Sequence, residues 1–283
     1  MGRSARSGRE AHGSQARDGE RLTTIRAAVE YDGTQFFGFQ YQPTVRSVAG
    51  ELESALSRLF AETVKITGAG RTDTGVHASG QVISFSTARP FPFERLAIAC
   101  NANLPDDLSI RDVTVVDSEF SARFSALART YVYAILHRKD RSALLAHRAY
   151  HVYGRLDVDA MRDGARHLIG EHDFRSVCGT LPDGGVTTRI VRSLDITEHG
   201  DLLRVQISAD GFLHRMVRTI VGTLVECGLG RRDAGTMPQI LAARDRRAAG
   251  LTAPPHGLYL AGVQYRDGYD SFAEPPVFTR ERL

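Results

Sequence analysis

Gly70-Arg71-Thr72-Asp73-Thr74-Gly75-Val76-His77-Ala78 lies between two short runs, Thr63-Val64-Lys65-Ile66-Thr67 and Gln81-Val82-Ile83-Ser84-Phe85. Apolar and β-branched residues on either side of a glycine-bounded segment predict a strand, a tight connection and a second strand. The connection carries one carboxylate, Asp73, with the Arg71 guanidinium two residues upstream. A turn at the edge of a sheet offers such a side chain to a substrate, and its glycines permit positive φ and close approach of a ligand to the backbone. An ordinary connection whose Asp forms an Asx-turn has the same spacing.

The flanking sequence extends this pair of strands into a repeated pattern. Residues 23–31 predict a strand stopped by Asp32-Gly33, followed by an aromatic loop to Arg46. Ser47 is placed to cap a helix through Phe60, with Val48, Leu52, Ala55, Leu56 and Leu59 at helical spacing. Beyond the Asp73 connection, residues 93–101 read as a helix and 109–116 as a strand. The order strand, helix, strand, strand, helix, strand is that of a ferredoxin-like unit. A second pass starts near Phe124. Residues 129–136 alternate and put Tyr131, Tyr133 and Ile135 on one face of a strand. A helix at 157–169 stopped by Gly170 comes next, then a hairpin of 188–197 and 202–209, a helix at 212–228, and a closing strand at 258–265. The expected fold is α+β: two ferredoxin-like units whose antiparallel sheets meet at a central cleft. The expected organisation is a disordered polar tail over 1–21, one domain at 22–122 and a second at 123–283, with the segment from Asp267 onward left unassigned.

Composition narrows the function classes. The 283 residues suit one large or two ordinary domains, the hydrophobic share is 42%, and the formal net charge is +3. No run approaches the roughly 18–20 apolar residues of a membrane span, and the polar start lacks the apolar segment of a secretory signal. The basic side chains are nearly all arginine, the lysines being Lys65 and Lys139, and arginine suits phosphate clamping and base stacking. A strong codon bias gives the same composition. Cys100, Cys178 and Cys227 are far apart, form no C-x-x-C pair and fit a reducing cytosol. His147 and His151 are four apart and can share a helical face, yet no Cys, Asp or Glu stands at ligand spacing, so no metal is expected. No cofactor is expected either: Gly68-Ala69-Gly70 lacks the Gly-Lys-Ser/Thr of a phosphate loop, and no dinucleotide fingerprint opens a helix.

The wording of the Asp73 connection resembles the catalytic loop of the tRNA pseudouridine synthase A family. Further blocks match that family in order: Tyr31-Asp32-Gly33 with Phe36, Gly38 and Gln40; Arg129-Thr130-Tyr131-Val132-Tyr133; Phe212-Leu213-His214-Arg215-Met216-Val217-Arg218 with Ile220-Val221-Gly222; and Gly257-Leu258-Tyr259-Leu260. Where the family commonly has Gly-Trp-Gln, this chain has Gly38-Phe39-Gln40, which keeps a stackable ring and loses the indole donor.

The resemblance implies a cytoplasmic enzyme, homodimeric, without cofactor, that converts uridines at positions 38, 39 and 40 of the tRNA anticodon stem-loop to pseudouridine. It assigns Asp73 as the catalytic nucleophile. Arg218 is the expected cationic partner, since a fixed cation favours the charged form of a carboxylate and holds its orientation; a solvated arginine on an exposed helix face is the plain alternative. Arg218 is expected to share a helical face with His214 and Gly222. Tyr131 is expected to stack on the flipped uracil and to assist removal of its C5 proton, with Tyr133 as the alternative stacking residue; two core tyrosines fit the alternation equally. Arg71 is expected to reach RNA and hold the target base out of the helix. His77 and His214 complete the RNA-contacting set, and Leu258 is expected to wall the pocket. A non-catalytic RNA-binding module is the competing reading, because Phe37-Gly38-Phe39-Gln40-Tyr41 partly resembles the aromatic strand motif of RNA-recognition domains.

Overall fold

The computed structural model describes residues 22–266 and 268–279; the expected polar tail, 1–21, lies outside them. In chain order the elements are β1 (Thr23–Tyr31), α1 (Val48–Phe60), β2 (Thr67–Gly68), β3 (His77–Thr87), α2 (Leu96–Asn101), β4 (Leu108–Val116), β5 (Ala128–His137), β6 (Tyr150–Val152), α3 (Val158–Arg166), β7 (Gly170–Asp173), β8 (Thr188–His199), β9 (Leu202–Ala209), α4 (Met216–Gly228), α5 (Met237–Ala243), β10 (Leu258–Gln264) and β11 (Ser271–Phe272).

Local chemistry accounts for the start of two of the helices and for the burial pattern of β9. Ser47 caps α1, its Oγ accepting from the Gly50 N–H at 3.3 Å, while Val48, Leu52, Ala55, Leu56 and Phe60 are buried. Asp157 caps α3 in the same way, accepting from the Ala160 N–H at 3.0 Å. In β9 Leu203, Val205, Ile207 and Ala209 are buried and the residues between them are not, the period-2 signature of a strand with one wet face.

Eight strands run in the order β4-β1-β3-β10-β5-β9-β8-β7, with β2 on β3, β6 on β5 and β11 on β10. The two expected sheets do not face each other: they join edge to edge into one. The seam is a short parallel pairing of β3 with β10, Tyr259 opposite His77 and Leu260 opposite Ala78. Each half would otherwise present a row of unpaired N–H and C=O groups at that edge, and pairing the two satisfies both. The same strand order appears on either side of the seam, β4-β1-β3 with β2 on β3, and β10-β5-β9-β8.

One apolar cluster spans both halves, combining Ile25, Ile83 and Tyr133 of the sheet with Leu52 of α1, Met161 of α3 and Leu224 of α4. The helices therefore cover one face. Smaller clusters lie under loops on the other, around Val82 and Tyr265 and around Leu136 and Tyr259. Segment 271–278, unassigned in the sequence, adds β11 to β10 and packs Val277 and Phe278 on the last cluster. His147 and His151 do not share a helical face: His147 is in a turn and His151 in β6.

Candidate active site

On the helix-covered face the sheet is left open at the seam, between α1 and α4, and a cleft of about 1060 Å³ remains there. Its walls include the Asp73 connection, Tyr131 of β5, Leu258 of β10 and the start of α4.

The connection is held on every side. The Val76 N–H closes a turn on the Asp73 carbonyl at 3.1 Å, and Gly75 takes φ 77°. The Phe39 N–H donates to the Thr72 carbonyl at 3.1 Å, and the Tyr31 hydroxyl pairs with Thr72 Oγ1 at 2.8 Å. Gly38 is at φ 92°, and a Cβ there would stand 3.0 Å from the Thr72 carbonyl oxygen, so a larger residue would push the two segments apart. The buried Gln81 side chain brackets Gly70, donating to its carbonyl at 2.7 Å and accepting from its N–H at 3.3 Å. Phe39 is buried against Gly68.

Asp73 receives a guanidinium on one oxygen only. Arg218 Nη1 donates to Oδ2 at 2.7 Å, while its Nε donates to the Ala253 carbonyl at 2.8 Å. Oδ1 faces His214 Nε2 at 3.7 Å, beyond hydrogen-bond reach, and stays available to a substrate atom. Gly222 lets α4 approach the strap that supplies Ala253; a Cβ at that position would overlap the Leu251 carbonyl oxygen.

Tyr131 packs edge-on against Phe212, ring centroids 5.0 Å apart, at the cleft floor. Burial pushes its hydroxyl well above the usual phenol range, and the nearby Tyr31 and Asp73 add to the shift. It is therefore a neutral hydrogen-bonding group at the pH of a cell. Arg71 is exposed at the cleft, and among the described residues no carboxylate pairs with it.

The structure thus gathers Asp73, Arg218, Tyr131, His214, Arg71 and Leu258 around one cleft. Two expected members stand elsewhere. Tyr133 is fully buried and donates its hydroxyl to the Pro254 carbonyl at 2.7 Å, so no face is left for a base. His77 is 1% exposed. Its Nδ1 accepts from the Gly33 N–H at 3.0 Å, its Nε2 meets the His147 and His256 carbonyls at 2.9 and 3.2 Å, and its ring stacks on Tyr259. It braces the seam and leaves no exposed face. His214 stands 3.7 Å from Asp73, but not on the helical face expected for it with Arg218 and Gly222. Arg215 adopts a left-handed φ of 60° and α4 begins only at Met216, so a turn, not a helical face, carries the imidazole.

The roles of two supporting residues are not legible in the sequence. Gln81 reads as one polar residue in a strand, and only the fold shows its amide against Gly70. Arg129 reads in the sequence only as part of the alternating strand that becomes β5. Its guanidinium donates to the carbonyls of Ala69, Ala126 and Asp210, tying the Asp73 connection to the segments before β5 and α4. Among the described residues no group of three His, Cys, Asp or Glu is arranged to hold a metal ion, and no helix is long and apolar enough to cross a membrane.

The sequence matches the family profile described as tRNA pseudouridine synthase over residues 27–125 and 165–266. It is 44% identical over 243 residues to the tRNA pseudouridine synthase A of Bacillus subtilis strain 168, covering 85% of this chain and 98% of that one. It is 43% identical over 256 residues to the protein of the same name from Shewanella sediminis strain HAW-EB3, covering 90% and 98%. With that of Caldicellulosiruptor bescii the identity is 41% over 244 residues, covering 86% and 100%.

Proposed function

The chain belongs to the tRNA pseudouridine synthase family, isomerases of tRNA uridine, and from this we propose that it modifies uridines 38, 39 and 40 of the anticodon stem-loop with Asp73 as nucleophile. The observation that carries the proposal is the Asp73 carboxylate held through Oδ2 by Arg218 with Oδ1 open to the cleft.

The reaction breaks the ribose C1′–N1 bond, turns the uracil, forms C1′–C5 and releases the C5 proton. It is redox-neutral, so what it asks of the protein is a positioned carboxylate beside an electron-poor carbon. Attack at C1′, attack at C6 and assisted elimination all start from that arrangement. A guanidinium anchored at two points keeps the carboxylate in one orientation while RNA displaces water. Tyr131 and Leu258 would hold the extruded uracil, the tyrosine as a neutral phenol. Arg71 would enter the space the base leaves. The target lies on an A-form stem, whose deep groove conceals base edges, so selection by shape with arginines on phosphates fits the composition. The repeated strand order supports a reading as two ferredoxin-like units, 22–122 and 123–283, and the family resemblance supports a cytoplasmic homodimer with one tRNA held by both subunits.

The test uses tRNA transcripts tritiated at uracil C5 and counts tritium released to water. Wild type is expected to release it, with loss of release when the target uridines are replaced by cytidine. Asp73→Asn is expected to abolish release while retaining tRNA binding. Release by Asp73→Asn at the wild-type rate would remove Asp73 from the chemistry.

A further inference from the structure

The rim of the cleft carries an aromatic side chain that the reaction leaves unused. Phe124 is 80% exposed, and the Arg123 guanidinium carbon lies 5.3 Å from its ring centroid. Scattered exposed phenyl groups are ordinary on protein surfaces. This one sits on an unusually well-fastened turn. The Phe124 N–H donates to Ser121 Oγ at 3.3 Å, the Ser125 N–H to the Ser121 carbonyl at 3.0 Å, and the Ala122 N–H to Ser84 Oγ at 3.0 Å. Tyr265 donates its hydroxyl to the Ala122 carbonyl at 2.7 Å. Arg129 adds bonds to the Arg123 and Ala126 carbonyls, and the same guanidinium holds the Ala69 carbonyl, next to Gly70. The position of the Phe124 backbone relative to the Asp73 connection is therefore built in.

Elsewhere on the same cleft Tyr41, 53% exposed, carries the Lys65 ammonium 5.2 Å from its ring. Exposed rings paired with cations along a groove are the parts from which single-stranded nucleic acid sites are made, the ring receiving a base and the cation attracting the backbone. Extruding one nucleotide from a stacked strand also unstacks its neighbours.

We propose that Phe124, with Arg123 over its ring, is a stacking platform for an unpaired RNA base adjacent to the target uridine. The proposal rests on the reading of this cleft as an RNA site and extends it to a second base. Its consequence is that the enzyme reads the presence, but not the identity, of that neighbour, since every base offers a π face.

A binding cycle tests it with full-length protein and a 17-nucleotide anticodon stem-loop. Kd is measured by anisotropy for wild type, Phe124→Ala and Phe124→Trp, each on intact RNA and on RNAs made abasic at the nucleotide before or after the target. Phe124→Ala is expected to bind intact RNA about tenfold more weakly, with Phe124→Trp close to wild type. On one of the two abasic RNAs wild type is expected to fall to the Phe124→Ala value, and Phe124→Ala to lose nothing more. Equal weakening by Phe124→Ala on intact and both abasic RNAs overturns the platform, as does unchanged binding. Thermal melts of the variants confirm that folding is intact. Tritium release by wild type on the same stem-loop is read separately, so a failure of the isomerase assignment is distinguished from a failure of the platform.

Discussion

Asp73 and Arg218 are 145 residues apart in the chain and 2.7 Å apart in the fold. The arginine does two things that a lysine would do poorly: Nη1 holds the carboxylate and Nε holds the Ala253 carbonyl. A lysine ammonium is a single point charge on a flexible stem and lacks this fixed fork. Arg218→Lys keeps the charge and loses the alignment, and is expected to lower kcat about 10²-fold with tRNA affinity little changed. Single-turnover tritium release and filter binding read the two quantities apart; a wild-type kcat would show that charge alone suffices. At this scale the sequence was informative where wording was specific. It pointed to Asp73 and Arg218, but it placed Tyr131, Tyr133 and His77 together as RNA contacts. Alternation puts Tyr131 and Tyr133 on the same strand face, and which of them meets open space depends on Pro254, a residue far along the chain.

At the scale of elements, α4 and the strap at 250–253 act together. The strap is laced to one helix face: Thr219 Oγ1 meets Thr252 Oγ1 at 3.2 Å, Thr223 Oγ1 accepts from the Gly250 N–H at 3.0 Å, and Glu226 Oε1 accepts from the Leu251 N–H at 3.0 Å. Gly222 sits amid these contacts, and a methyl group there would overlap the Leu251 carbonyl oxygen. Gly222→Ala is expected to cost about 1–3 kcal/mol of stability and, because the strap supplies the Ala253 carbonyl to Arg218, to lower turnover per folded molecule. Asp157→Ala, which removes the cap of α3 outside the cleft lining, costs about 1 kcal/mol and is the control: urea titration should show both losses, while only Gly222→Ala should show reduced turnover at equal folded concentration. The apolar spacing of α4 was legible, but its start was misplaced by four residues. Phe212 and Leu213 continue the apolar pattern, while Arg215 departs from helical φ, and side-chain periodicity carries no trace of that backbone change.

The whole molecule stores a set of buried phenols. Tyr31, Tyr131, Tyr133, Tyr259 and Tyr265 are all shifted upward, burial being the largest cause for each. In the unfolded chain each titrates near its ordinary value of about 10, whereas the folded state keeps its proton to higher pH. Below about pH 10 both states are protonated and these groups leave stability unchanged. Above it the unfolded state binds fewer protons, so stability falls with rising pH, by up to about 1.4 kcal/mol per pH unit for each tyrosine. Urea midpoints at pH 8, 9, 10 and 11 should fall gently at first, as the buried thiols of Cys100, Cys178 and Cys227, also pushed up by burial, ionise in the unfolded chain, and more steeply across the last two as the tyrosines join them; a level midpoint to pH 11 would refute the assignment. The continuous sheet is the feature at this scale that the sequence concealed. Each half announces its own strands and helices, but the β3–β10 pairing spans only two residue pairs and leaves no periodic signal.

The sequence by itself determined the local elements, because apolar spacing, caps such as Ser47 and Asp157, and the glycines around Asp73 act over a few residues. Through the wording of five blocks it also determined the family, and it singled out Asp73 as the carboxylate proposed for the chemistry. Only the tertiary structure decided that two sheets become one, that His77 and Tyr133 are braces, and that Gln81 and Arg129 hold the site in shape. Those outcomes depend on which distant backbone carbonyls and N–H groups need a partner once the halves are joined, and a buried polar group finds its partner through the fold, not through its neighbours in sequence.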